Sequence, residues 1–82
     1  MMPLSMMSSG EQGRVVQIRG GRGIRNRLAD IGIREGSEIV VVTGQRRGPV
    51  MVVHDNTKVA IGFGMAHRMM VEPAGTHKEK EA

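Results

Sequence analysis

Three kinds of residue in this chain could do chemistry: a few histidines and carboxylates, a glycine-rich stretch ahead of a helix, and a crowd of arginines. The metal-ligating candidates are His54, His67, His77, Asp55 and Glu72, with eight methionines beside them. No two histidines are spaced to share one face of a helix, and with no cysteine a thiolate metal site is not available. His54 and His67 would make a site only if the fold carried them to one side of the molecule; read singly, each is a surface or boundary residue. The stretch Gly20-Gly21-Arg22-Gly23 could offer backbone amides to a phosphate. It lacks the Gly-Lys-Ser/Thr ending of a nucleotide-binding loop, and a strand-to-helix turn needs small residues for its own sake. With no GxSxG, no HExxH and no identifiable nucleophile–base pair, the sequence argues against an enzyme.

The arginines are more telling. Twelve Lys and Arg stand against eight Asp and Glu, a formal charge of +4. Arg14, Arg19, Arg22, Arg25, Arg27, Arg34, Arg46 and Arg47 all fall in the first two thirds of the chain. Such a basic surface suits nucleic acid, anionic lipid or an acidic protein. Small barrels that bind RNA stack bases on aromatic side chains, and Phe63 is the only aromatic residue here. The preferred expectation is therefore an acidic protein surface met by Arg22, Arg25, Arg27, Arg34, Arg46 and Arg47, with no nucleic-acid partner.

The elements that position these residues follow from spacing. Ile24, Leu28 and Ile31 recur four and three apart, which predicts one helical face from about Ile24 to Ile31. Gly32 follows the last of them, where a left-handed turn ends a helix, and Gly36 reads as the turn into the next strand. Leu28 is the expected structural anchor. Strands are predicted over Arg14 to Arg19, with Val16 and Ile18 on one side, and over Ser37 to Thr43, Val50 to His54, Lys58 to Ile61 and Met69 to Val71, the last stopped by Pro73. Asp55-Asn56-Thr57 reads as a tight turn making a hairpin, whose edge near Val50 to His54 could pair with another copy. Leu4 to Ser8 and Met65 to Arg68 read as single helical turns. Met6, Met7, Met65, Met69 and Met70 read first as gap fillers in a core short of aromatics, second as a docking face.

With 82 residues, one domain is expected, residues 1–73, followed by a disordered tail over 74–82. No apolar run nears the ~20 residues that span a bilayer, and no basic leader precedes the first apolar residues, so the expected location is cytoplasmic. About five short strands with one short inserted helix predict a mainly β fold, a small barrel.

In order, Val15-Val16-Gln17-Ile18-Arg19-Gly20-Gly21, then Arg27-Leu28-Ala29-Asp30-Ile31-Gly32-Ile33 with Gly36, then Gly48-Pro49-Val50 and Val59-Ala60-Ile61, resemble the ferrous-iron-transport protein A (FeoA) family over roughly Leu4 to Glu72. The resemblance implies an SH3-like barrel. It also implies a small cytosolic accessory of ferrous iron uptake, acting by binding the cytosolic region of a membrane ferrous-iron importer that carries a G domain. The same barrel occurs as the C-terminal domain of metal-dependent repressors, so the alternative is a stand-alone module of that kind binding metal or nucleic acid. No cofactor is implied with certainty. A weak divalent site for ferrous iron is left open, with His54 and His67 as its candidates, because this ion favours nitrogen and oxygen over thioether ligands.

Overall fold

The computed structural model describes residues 1–43 and 48–76. In chain order these form strand β1 (Met2–Pro3), a 3₁₀ turn (Leu4–Met6), β2 (Glu11–Ile18), helix α1 (Arg22–Asp30), β3 (Glu38–Thr43), β4 (Val50–His54), β5 (Thr57–Ile61), helix α2 (Phe63–Arg68) and β6 (Met69–Thr76). Among the described residues, six strands make one antiparallel sheet in the order β1-β6-β2-β3-β4-β5. The fold is mainly β with one inserted helix of nine residues, a small SH3-like barrel. It wraps a single core that takes in Leu4 and Met7 from the N-terminal segment, Leu28 from α1, Ile33 from the loop after it, and the inward residues of the strands.

β3 shows why the residues choose this form. Its Ile-Val-Val-Val run is stiff at χ1 and suits a pleated surface; Ile39 and Val41 point into the core while Val42 is exposed. The β4–β5 hairpin closes at Asp55 and Asn56, which both take positive φ (51° and 64°) as a two-residue hairpin turn demands.

β2 departs from simple alternation. Its register against β6 shifts between Val15 and Gln17, so the strand bulges there. Val15 and Ile18 both point inward, whereas Val16, expected to share a side with Ile18, is 40% exposed. A second shift lies between Glu11 and Gly13, where β2 and β6 approach closely: a Cβ on Gly13 would sit 2.5 Å from Val71 Cγ1 and 2.9 Å from the Glu72 carbonyl oxygen.

Other boundaries moved. β6 does not stop at Pro73 but runs to Thr76, with Pro73 opposite Gly13, beside the register shift that spares the ladder a missing donor. β4 is flanked by β3 and β5, so Val50–His54 is no edge; β1 and β5 are the edge strands among the described residues. Ile31 is 39% exposed rather than buried with Leu28. Arg46, Arg47 and His77, and the tail after Thr76, lie outside the described residues. The gap-filling role of the methionines holds for Met7 and Met69, both fully buried, and for Met70, while Met6 is exposed. No helix among the described residues is long and apolar enough to cross a membrane.

Candidate functional site

α1 carries three of the six predicted contact residues, Arg22, Arg25 and Arg27, and its C-terminal turn fixes how the helix sits. After Asp30 the chain turns through Ile31 into Gly32, at φ +86°. The Gly32 N–H donates to the Ala29 carbonyl at 2.9 Å and the Ile33 N–H to the Leu28 carbonyl at 2.9 Å. This double return is a Schellman stop, and its usual apolar contact is supplied by Leu28 and Ile33, both fully buried. The turn at Gly36 is tied to the sheet: its N–H donates to the Val15 carbonyl at 2.7 Å.

With Leu28 pointing inward, the other side chains are distributed by helix geometry. Arg25 faces β2. One of its guanidinium nitrogens donates to the Ile18 carbonyl at 2.9 Å and the other to the Glu35 carboxylate at 3.1 Å. Glu35 also accepts from the Ile18 N–H at 3.0 Å. These bonds, led by the one from the Ile18 amide and then that from Arg25, hold the Glu35 carboxyl below its usual range. Arg25 is therefore engaged within the fold.

Arg22 opens the helix and Arg34 lies in the loop after it; both are exposed. Gly23 and Arg27, four residues apart, share a flank that faces α2. Together with Ile24, Met65 and Arg68 they line an open hollow of about 520 Å³. Arg68 was not among the residues predicted from sequence. It lies forty-one positions after Arg27 (68 − 27), and no local pattern links them. The fold joins them because the Arg19 N–H donates to the Arg68 carbonyl at 2.8 Å, pinning the end of α2 beside the turn that leads into α1. No salt bridge involves Arg22, Arg27, Arg34 or Arg68 among the described residues.

The histidines are held in separate surroundings. His54 Nδ1 is 3.0 Å from the Glu38 carbonyl oxygen and Nε2 is 3.4 Å from Asp55 Oδ2, with the side chain 14% exposed. His67 Nδ1 lies 3.4 Å from Ser5 Oγ, and its ring stacks on Phe63 at 6.2 Å. Among the described residues no three His, Asp or Glu converge as a metal-ligand group. The Ser5–His67 contact is a pairing that sequence alone did not suggest. Ser5 is buried, so the pair ties the N-terminal segment to α2.

The described residues form a small barrel with an anchored helix and exposed arginines. Residues 2–73 match the model of the FeoA domain, and the chain belongs to that family. It is 38% identical over 81 residues to a protein of Methanocaldococcus jannaschii named as an Fe(2+) transport protein A, covering 99% of this chain and 98% of that one. It is similar to the crystal structure of an iron uptake regulatory protein (FeoA), with a TM-score of 0.81, 37% identity, and coverage of 89% and 96% of the two chains. It also resembles a manganese-dependent transcriptional repressor, with a TM-score of 0.81 and 25% identity, over 89% of this chain and 41% of the repressor.

Proposed function

We propose that this chain is a cytosolic accessory of ferrous iron uptake that works by binding the cytosolic region of a membrane ferrous-iron importer and performs no reaction itself. The observation that carries this reading is the exposed basic surface around α1: Arg22 and Arg27 on the helix and Arg34 in the loop after it have no salt-bridge partner among the described residues, and the helix is locked to the barrel by Leu28 and Arg25. A rigid mount loses little freedom on binding, and unpaired cations favour encounter with an acidic surface. Membership of the FeoA family and likeness to a named Fe(2+) transport protein support the process.

The test is retention of the importer's purified cytosolic region on immobilised full chain. Retention at low salt that weakens as salt rises is expected; no retention at low salt overturns the proposal. The likeness to a repressor supports a second reading, a metal- or nucleic-acid-binding module. Steeply salt-dependent, saturable binding of DNA or RNA, or anaerobic uptake of ferrous ion that His54→Ala, His67→Ala abolishes, would favour it over the first.

A further inference from the structure

The hollow between α1 and α2 joins an apolar floor to a cationic rim. Ile24 and Met65 are partly buried and pack against the core, Gly23 lies at its margin, and Arg27 and Arg68 stand exposed at its edge. Two further hollows differ in kind: one of about 380 Å³ includes Glu38 and Asp55, and one of about 290 Å³ includes Glu38 and Glu72. Those carry their own carboxylates. The hollow at α1 and α2 has none, and neither of its arginines makes a salt bridge among the described residues.

We propose that this hollow receives an acidic peptide segment, which sets one apolar side chain against Ile24 and Met65 and flanking carboxylates against Arg27 and Arg68. The inference deepens the reading above and rests on it for the identity of the partner. Charge complementarity argues for the acidic occupant: two unpaired guanidinium groups present planar donor forks that match carboxylates. The floor argues for a peptide rather than a nucleic-acid strand. It consists of an isoleucine and a methionine, which offer a base no aromatic plane but accept an aliphatic or aromatic side chain readily. Gly23 leaves the approach open, since a Cβ there would meet nothing within 4 Å.

The probe is a fluorescein-labelled eight-residue peptide of Asp and Glu with a central Leu. Two comparison peptides replace the acids by Asn and Gln, or the Leu by Ala. Anisotropy titrations use the full chain at low salt, with amide cross-peaks followed by NMR. Binding of the acidic Leu peptide is expected, with perturbations centred on Gly23, Ile24, Arg27, Met65 and Arg68. The Arg27→Gln, Arg68→Gln double variant should bind about five- to thirtyfold more weakly, as expected for two exposed ion pairs. An Arg14→Gln, Lys58→Gln double variant, which removes the same charge elsewhere, should stay within about twofold. Unchanged melting temperatures of both doubles establish that each is folded. Equal affinity for the Asn/Gln peptide, equal losses in the two doubles, perturbations centred elsewhere, a single-stranded RNA oligomer that outcompetes the peptide, or the same cross-peaks moving on dilution of the chain alone each overturn the proposal. The importer experiment separates the two readings. Importer binding that survives Arg27→Gln, Arg68→Gln removes this inference and leaves the partner intact. Peptide binding in the hollow without importer binding does the reverse.

Discussion

Arg25 and Arg27 stand two residues apart on α1 and serve different flanks of it. The inner flank is committed to the fold: Leu28 is fully buried, Arg25 is bonded to Ile18 and Glu35, and the Gly32–Ile33 turn closes the helix onto its own carbonyls. The outer flank carries Gly23 and Arg27 facing Arg68 across an open hollow, with no salt bridge there among the described residues. Charge in a sequence counts arginines. It does not say which of them the fold uses up and which it leaves for a partner.

The largest effect is expected at Leu28. Truncation to Ala removes a fully buried side chain that links the helix to the barrel, and core Leu→Ala changes cost about 2–5 kcal/mol. A domain of this size has roughly 4–12 kcal/mol in total, so urea denaturation should show a much lowered midpoint or an unfolded variant at 25 °C. A Leu28→Ala midpoint close to that of the parent would mean that α1 is not anchored as described.

Gly32→Ala is the next largest. The new Cβ would meet the His54 ring at 3.7 Å from Cδ2 and 4.0 Å from Nε2, ordinary contacts, so the penalty is in the backbone: φ +86° is a conformation an L side chain resists. About 1–2 kcal/mol of destabilisation is expected, measured by the same denaturation, with the inner flank loosened and not dismantled.

The sequence made the stop at Gly32 and the burial of Leu28 legible because both follow from local spacing. The same is true of the β-branched strands and of the Asp55-Asn56 turn. The β2 bulge was hidden, since a single extra residue leaves no mark on composition. Strict alternation therefore put Val16 on one side with Ile18, whereas the bulge turns Val15 inward with Ile18 and leaves Val16 exposed. Pro73 misled for a related reason: a proline ends a regular strand, but opposite an irregular register it need not. At the candidate site the arginines of α1 could be read as a group. Their division into clamp and rim, and the arrival of Arg68 beside Arg27, depend on contacts between elements that no periodicity encodes.

Smaller effects separate the two flanks of α1. The folded Glu35 carboxyl lies below its usual value, near 4.5, through the Ile18 amide first and Arg25 second. A carboxyl lowered in the folded state stabilises above its unfolded value, and that contribution is lost as pH falls through the folded one. Glu35→Gln should therefore melt slightly below the parent at neutral pH, and the gap should close as pH drops below about 4.5. Both groups of this pair are close to half exposed, so the gap is modest and shrinks with salt. A gap that widens in acid would mean the carboxylate is not held by these donors.

Arg27→Gln should change stability least, by under about 0.5 kcal/mol, the usual range for a surface change away from structural contacts. The discriminating measurement is a pair of double-mutant cycles. Arg25→Gln should destabilise the parent more than it does a Glu35→Gln background, because Arg25 and Glu35 share one network with the Ile18 backbone. Arg27→Gln should have the same small effect on either background, since nothing described connects it to Glu35. If the two arginines couple equally to Glu35, the division of α1 into a structural flank and an outward one fails. If Arg25 alone couples and Arg27→Gln leaves stability unchanged, the charge at Arg27 contributes nothing to the fold that a glutamine could not.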